Sequence, residues 1–363
     1  MKQINNFDFG KHPSKQVGTV VPVSSNRRYW RKFFSSKLSI ISLIVLLLIS
    51  IFLISSLLFY SASSYKTIND AYSLNSELPS SLRPWKTLIL PESDELNVFR
   101  EFAKYNKDSV FIDKIIDDKD GLISYSVTFN AYKIFGDTKL HLLGTNSQGI
   151  DIFARLISTL INLIIISVSA AVISVFLSII LGSLTAIYFK KSISQIIEKI
   201  FSTFALIPYI FISVIVFLLV KNTVVNAIII FSVISTITLF ISSYQKTCEI
   251  LENEFINADK SVGFSNFDLL IRTVFKPVFL HQLIQATEQL SLIFLTYTAI
   301  SIFSIDTSTL TLGTVIKEAL DLISINPWYL VTLFVLITGL MFGFKFLAFG
   351  LNNSYINFRG SDE

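Results

Sequence analysis

The stretch LISTLINLIIISVSAAVISVFLSIILGSLTAIYF, residues 156–189, decides the class of fold. It contains no Asp, Glu, Lys or Arg. An α-helix needs roughly 20 apolar residues to cross the hydrocarbon core of a bilayer. This stretch exceeds that length, so the sequence predicts a membrane-spanning helix that begins outside the hydrocarbon.

The composition of the whole chain extends that prediction. Hydrophobic residues make up 52% of its 363 residues and charged residues only 15%, whereas a soluble domain carries roughly a quarter charged residues. The fold class is therefore all-α integral membrane, with six transmembrane helices. The fifth is the least apolar, since Gln285, Glu288 and Gln289 interrupt its beginning, and we expect these groups to face protein or the cytosolic interface. The six predicted spans lie at residues 38–60, within 156–189, and at about 200–220, 224–243, 290–305 and 328–350.

Basic residues near the ends of the predicted helices indicate the topology. Residues 38–60 follow 37 residues and precede no small-residue cleavage site, so they are an uncleaved anchor rather than a signal peptide. With six spans, the clusters of Lys and Arg all fall on the side of the N-terminus. Both termini are therefore predicted to be cytosolic, in a multi-pass protein of the plasma membrane. The basic residues on that side include Arg27, Arg28, Arg31, Lys32, Lys190, Lys191, Lys246, Lys260, Arg272, Lys276 and Arg359.

The spans divide the chain into segments. The insert between the first two helices is predicted to be a small extracellular subdomain of unknown fold, with an alternating apolar stretch at 122–129. The predicted segments are a cytosolic tail 1–37, the first helix 38–60, the extracellular insert 61–150, a core transmembrane domain 151–350 with a cytosolic loop 244–281, and a cytosolic tail 351–363.

Signatures of catalysis are missing from the sequence. It has no G-x-x-x-x-G-K-[ST] phosphate loop, no H-E-x-x-H and no G-x-S-x-G. Cys248 is the single cysteine and the three histidines are far apart, which argues against a metal centre. No catalytic residue, metal or cofactor is expected, and no nucleic-acid partner. Glu288 and Lys345 are the ionisable groups nearest the middle of predicted spans, and a hydrated, paired or snorkelling position accounts for each.

The cytosolic connection between the fourth and fifth spans is too long for a tight turn and too apolar for a solvated linker. Residues 254–262 predict a short amphipathic helix with Phe255, Ala258 and Val262 on one face. Gly263 allows the chain to turn, and Ser265 or Asn266 can cap a second short helix that ends before Pro277. Such an element could transmit motion from a cytosolic partner, or it could rest on lipid headgroups.

The same connection resembles the EAA loop of ABC-importer permeases. The segment EFINADKSVG at 254–263, followed by RTVFKP at 272–277, is similar to the peptide-permease form E-F-V-E-A-A-R-A-L-G with R-H-I-L-P. Asn257 and Asp259 depart from the core triplet, and the proline falls one position later. The residues that the resemblance assigns to coupling with an ATPase are Glu254, Phe255, Asn257, Ala258, Asp259, Gly263, Arg272 and Pro277.

A second segment is similar to the C-type subunit of oligopeptide and dipeptide permeases (OppC/DppC). HLLGTNSQGID at 141–151, followed by Ala-Arg at 154–155, matches H-L-L-G-T-D-x-x-G-R-D-x-x-S-R, except that Asn146 replaces an Asp and Ile150 an Arg. This segment is predicted to cap the second helix, with a contact to a binding protein or a gate as the alternative. Its motif residues are Gly144, Thr145, Gly149, Asp151 and Arg155.

The resemblance implies the transmembrane domain of a type I ABC importer. It further implies a homologous B-type permease subunit, two ABC ATPase subunits that hydrolyse ATP, and an extracellular peptide-binding lipoprotein as partners. The chain itself would be a non-catalytic permease subunit that transports oligopeptides, dipeptides or nickel chelates. A membrane scaffold and an ion-coupled transporter without an ATPase are the alternatives, although the predicted spans contain few of the mid-membrane ionisable groups that ion coupling uses.

Overall fold

The structure is a computed structural model that describes residues 25–66, 77–105, 108–116, 123–136, 139–302 and 310–359. Within these ranges the chain is mostly helical, with one small sheet. One further element is a π-helix at Leu269–Val274. In chain order the elements are α1 Ser25–Ser35, α2 Lys37–Phe59, β1 Trp85–Pro91, α3 Asp94–Tyr105, β2 Val110–Ile116, β3 Ile123–Asn130, α4 Ala131–Phe135, α5 Ile152–Tyr188, α6 Lys191–Ala205, α7 Tyr209–Leu219, α8 Val224–Leu251, α9 Glu254–Ser261, α10 Asn266–Asp268, α11 Phe275–Ile302, α12 Leu312–Asp321 and α13 Pro327–Arg359.

Four of the described helices are long and apolar enough to cross a membrane: α2, α5, α8 and α13. They correspond to the first, second, fourth and sixth predicted spans, which are confirmed as helices of that length and composition. In α5 the helix runs for 37 residues, well beyond the 20 or so that a bilayer requires. The sequence alone was therefore sufficient to find these four helices.

The third predicted span, at about 200–220, is wrong as a single helix. The structure breaks it into α6 and α7, which meet at an angle of 81°. Pro208 stands immediately before α7, and proline both lacks an amide N–H and disfavours helical geometry at the residue before it. If the bent pair counts as one span, five candidate spans are described.

The fifth predicted span lies in α11, a helix of 28 residues. Its polar residues keep it outside the group of helices that qualify as spans by composition, so a sixth span stays a prediction. Residues 303–305 of the predicted span lie outside the described residues. Even so, α11 belongs to the bundle, because Ile293 and Phe294 are fully buried in the main core.

Polar contacts define two opposite ends of the bundle. We call one of them the cap end. There the Tyr60 hydroxyl, just after α2, donates a hydrogen bond to Asp151, just before α5. The Tyr297 hydroxyl, near the end of α11, donates to Asn222, which precedes α8. At the other, the loop end, the paired groups come from α5 with α8, α8 with α11, and α1 with α13. These loop-end pairs are Ser183–Thr247, Ser242–His281 and Tyr29–Leu351.

The insert contains a three-stranded antiparallel sheet in the order β1-β3-β2. One face of the sheet packs on α3 through a small core that includes Leu96, Phe99, Val127 and Phe129. The alternating stretch predicted at 122–129 coincides with β3, apart from residue 122, which lies outside the described residues. The fold of the insert was left open by the sequence, and the sheet adds a β element to an otherwise helical chain.

Candidate coupling element and helix cap

The connection at the loop end is shorter than the predicted loop 244–281, because α8 continues to Leu251 and α11 begins at Phe275. We call residues 252–274 the coupling element. Asn253 precedes α9, and its side-chain amide donates to the carbonyls of Glu249 (2.9 Å) and Ile250 (3.0 Å) at the end of α8. The start of α9 is therefore fixed to the preceding helix.

A Schellman turn ends α9. The N–H of Gly263 donates to the carbonyl of Lys260 (3.0 Å), and the N–H of Phe264 donates to the carbonyl of Asp259 (3.1 Å). Gly263 has φ +95°, in the left-handed region where glycine has no Cβ penalty. The turn predicted at Gly263 is therefore present, and its backbone conformation requires this residue type.

The second part of the coupling element begins with a capping box. The Ser265 hydroxyl and the Asp268 backbone N–H are 3.2 Å apart, and the Asp268 carboxylate accepts from the Ser265 N–H and hydroxyl. These hydrogen bonds lower the pKa of Asp268, chiefly through the Ser265 side chain. Arg272 lies 3.7 Å from Asp268 and its guanidinium stacks over the ring of Phe264. Short-range contacts thus order the element.

The prediction that Pro277 ends the second helix is wrong. The backbone passes from the π-helix into α11 without a break, and the N–H of Phe275 donates to the carbonyl of Leu270, five residues back. This wider turn changes the hydrogen-bond register just before Pro277. Pro277 itself has no N–H to donate, so the helical hydrogen bond at its position is missing although the helix continues.

One side of the coupling element is buried. Ile256, Leu269 and Val274 are at most 1% exposed and pack in a cluster with Ile179 of α5 and Leu239 of α8. Asp259 adds a polar tie, since its carboxylate accepts from the Thr273 hydroxyl at 3.0 Å. The element is therefore attached to the bundle through a small apolar core.

The other side of the coupling element is apolar and exposed. Phe255 and Val262, predicted to share a face with Ala258, are 51% and 79% exposed. Phe267 and Ile271 of the second part are 60% and 53% exposed. We call these five residues the coupling surface. Of the other residues that the sequence singled out here, Glu254, Asn257, Gly263 and Arg272 are exposed, whereas Asp259 and Pro277 are partly buried.

At the cap end, Asp151 is the N-cap residue of α5. Its carboxylate accepts from the Ala154 N–H at 2.6 Å and from the Tyr60 hydroxyl at 2.7 Å. His141 Nδ1 lies 2.6 Å from the same carboxylate, and both side chains are almost completely buried. Asp151 therefore links the start of α5 to the end of α2 and to His141. We call residues 141–155 the cap motif.

Two glycines and Thr145 shape the cap motif. Gly144 and Gly149 have φ +77° and +73°. Thr145 exchanges hydrogen bonds with Leu78 of the insert, as its hydroxyl accepts from the Leu78 N–H at 2.7 Å and its own N–H donates to the Leu78 carbonyl at 3.0 Å. A Cβ on Gly144 would lie only 2.3 Å from that carbonyl oxygen. The insert is thus held directly on the motif.

Arg155 binds a residue that the sequence did not single out. Its Nε donates to Glu318 of α12 at 3.1 Å, and the Asn146 amide donates to the other oxygen of the same carboxylate at 2.5 Å. The Tyr329 hydroxyl of α13 lies 3.3 Å from Glu318. Glu318 therefore joins the cap motif to the two last helices. Contacts between segments so far apart in the chain leave no local pattern in the sequence.

Comparison with known proteins gives a match over about the C-terminal half of the chain. Residues 178–352 match the family described as "Binding-protein-dependent transport system inner membrane component". No curated protein matches the chain.

The matched range contains the whole coupling element and excludes α2, the insert and the cap motif. This range is therefore similar to the membrane component of such transport systems. The apolar helices outside and inside the matched range agree with a multi-pass membrane protein.

Proposed function

We propose that this chain is the C-type permease subunit of an ABC importer for oligopeptides or dipeptides. It forms half of the translocation pathway together with a homologous B-type permease subunit. Two ABC ATPase subunits bind on the cytosolic side, and an extracellular lipoprotein delivers the peptide. The observation that carries the proposal is the coupling element, buried on one side and apolar and exposed on the other, within the range that matches the transport family.

The two sides of the coupling element have different functions: one binds the ATPase and the other contacts the helix bundle. The coupling surface docks on an ATPase subunit, since an exposed apolar patch of this kind is typical of an interaction site. The buried side, through Ile256, Leu269 and Val274, contacts α5, α8 and α11. When the ATPase dimer closes on ATP, the element moves with it, and the helix bundle changes between inward-open and outward-open states.

The proposed topology has six membrane crossings, with the coupling element in the cytosol. Each of α2, α5, α8, α11 and α13 has groups at both the cap end and the loop end, and α6 with α7 supplies the remaining crossing. Lys190 and Lys191 stand at the loop end, between α5 and α6. Basic residues favour the cytosolic side, so the loop end is cytosolic, with both termini, and the insert is extracellular.

Peptide specificity is proposed from the resemblance of residues 141–155 to the C-type peptide permeases. In the structure this motif carries the insert on one side and Glu318 of α12 on the other. That position suits a segment through which a docked binding protein acts on the bundle. The alternatives make different predictions: a scaffold would bind a partner without transport, and an ion-coupled transporter would not need ATP.

The role of Gly263 provides the test of coupling. Gly263→Pro forces a negative φ at a residue with φ +95° and removes the N–H that bonds Lys260. Gly136 is a matched control in the insert, with φ +69°, an N–H bonded to Tyr132, and open space around its Cβ position. We expect Gly263→Pro to lose co-purified ATPase and ATP-dependent peptide uptake by proteoliposomes, and Gly136→Pro to retain both.

Two outcomes would contradict the proposal. If no ATPase co-purifies with the wild-type chain, the chain is not a subunit of an ATP-driven importer. Equal coupling in wild-type chain and Gly263→Pro would exclude the coupling element as the docking segment. Substrate class is measured on the same proteoliposomes with labelled dipeptides, longer peptides and nickel chelates, and we expect uptake of peptides only.

A further inference from the structure

Helix α11 is packed in the bundle but is too polar for a helix surrounded by lipid. Its side chains Ile293, Phe294 and Tyr297 are buried in the main core. Two hydrogen bonds fix its depth: Gln282 donates to the Leu239 carbonyl of α8 at 3.2 Å, and Tyr297 donates to Asn222 at the cap end at 3.0 Å. The polar residues of α11 from Gln282 onwards therefore lie inside the bundle, and the polar His281 is one residue nearer the loop end.

Three of those polar residues share one face of α11. His281, Gln285 and Glu288 follow the i, i+4, i+7 spacing, and none of the three is buried. Further along the same face stand Leu292 and Leu295, which are apolar and 39% and 50% exposed. The face is thus polar from His281 to Glu288 and apolar beyond it.

A polar face of α8 lies opposite. A groove of about 480 Å³ runs between the two helices, and the Ser242 hydroxyl and His281 Nε2 are 3.0 Å apart within it. An ion pair between Lys246 and Glu249 lies nearer the loop end. The residues that line the groove are Thr238, Ile241, Ser242, Gln245, Lys246, Glu249, His281 and Gln285.

Glu288 lies one turn beyond Gln285, past the deep end of the groove. It is exposed, and within the described part of the chain no hydrogen bond or ion pair involves it. At ~1.5 Å per residue it lies roughly 9 Å beyond Gln282 and roughly 14 Å short of Tyr297. In the proposed topology this depth lies inside the membrane, where an unpaired carboxylate facing lipid is costly and functional pathways are the usual place for one.

We propose that Glu288 binds an ammonium group of the peptide in transit, supplied by the amino terminus or by a lysine side chain. The proposal rests on the importer function above. The polar groove gives water and peptide a route from the loop end to Gln285, one helical turn from Glu288. Beyond Glu288 the same face is apolar, at Leu292 and Leu295. The carboxylate then pairs with a cation that has left bulk water, which accounts for a charge at this depth.

The test compares Glu288→Gln with Glu288→Asp in proteoliposomes of the intact importer. Four peptides of one length are used, with a free or acetylated amino terminus and with or without a lysine. For peptides with an ammonium group we expect Glu288→Gln to lower uptake about tenfold, the equivalent of ~1.4 kcal/mol. Uptake of the acetylated peptide without lysine stays unchanged, and Glu288→Asp retains most of the preference.

The outcomes separate the two proposals. If Glu288→Gln abolishes only the preference for a free over an acetylated amino terminus, Glu288 binds the amino terminus of the peptide. If it abolishes only the preference for peptides with lysine, Glu288 binds the lysine side chain. Equal loss for all four peptides, with ATPase still co-purified, would overturn the role of Glu288 and leave the importer function intact. Absence of ATPase from the wild-type preparation would instead contradict the importer function.

A second measurement does not depend on uptake. In a Cys248→Ser background, Glu288→Cys should react with a charged, water-soluble thiosulfonate reagent applied from the cytosolic side, because the groove admits water. Leu295→Cys, two turns further along the same face, should not react. An unreactive cysteine at 288 in a correctly assembled complex would contradict a water-filled route to this position.

Discussion

Glycine at position 144 is required by two features of its surroundings. Its φ of +77° is unfavourable for any residue with a Cβ, and a Cβ would also meet the Leu78 carbonyl oxygen at 2.3 Å. That carbonyl accepts the Thr145 N–H, so the insert and the cap motif cannot separate without the loss of a hydrogen bond. Both the close approach of the Leu78 carbonyl and the positive φ therefore require glycine at position 144.

Gly144→Ala and Gly136→Ala separate these two effects. Gly136 has a similar φ of +69° with nothing within 4 Å of the added Cβ, so Gly136→Ala should cost about 1 kcal/mol from the backbone alone. Gly144→Ala should cost a further 1–3 kcal/mol or so, because the backbone must move. Thermal unfolding of the detergent-solubilised complex measures both. Equal shifts in Tm for the two variants would show that the contact between the added Cβ and Leu78 does not reduce stability.

Local capping could be predicted from the sequence at the residue scale, and distant contacts could not. Asp151 stands directly before an apolar run, which is sufficient to predict an N-cap. Nothing in the sequence links Asp151 to Tyr60, or Arg155 to Glu318, because those residues are 91 and 163 positions apart. The cap motif was therefore located correctly while most of its partners were missed.

Among the elements, the coupling element combines a buried and an exposed side within a few residues. Ile256 is completely buried and its neighbour Phe255 is half exposed. The predicted face of Phe255, Ala258 and Val262 has the correct helical spacing, but spacing alone does not say whether a face meets the bundle or a partner. Pro277 was misread for a related reason, since the π-helix before it has no sequence signal.

Ile256→Ala and Phe255→Ala should therefore affect different properties. Removing the buried Ile256 side chain should destabilise the importer by roughly 2–5 kcal/mol, because a cavity remains in its core. Removing Phe255 should leave Tm within about 1 °C and weaken ATPase binding severalfold, as expected for an exposed docking side chain. Thermal unfolding and ATPase co-purification are measured on the same samples. An inverted result, in which Phe255→Ala unfolds the complex and keeps its ATPase, would reverse the assignment of the two sides.

For the whole molecule, the central prediction is the number and direction of crossings. Four apolar helices could be read directly from the sequence. The bent pair α6–α7 and the polar α11 could not, because a proline break and an internal polar face both weaken the apolar signal on which such predictions depend. Both departures occur in the half of the chain that matches the transport family.

Two lysines at opposite ends of the bundle test the topology. Lys190 precedes α6 at the loop end, and Lys221 follows α7 at the cap end; both are exposed. In a Cys248→Ser background, we expect Lys221→Cys to react with an impermeant maleimide in intact cells and Lys190→Cys to react only after permeabilisation. Labelling of both from the same side would mean that α6 and α7 form a re-entrant hairpin rather than a crossing.

The most direct test of the account places a photoreactive amino acid at position 258, on the coupling surface, in the membranes of the native host. The same amino acid at position 133, on the exposed side of α4 in the insert, is the control. We expect illumination to join position 258, but not position 133, to an ATP-binding-cassette subunit. If position 258 yields no such product while the purified complex is intact, the coupling element does not serve an ATPase.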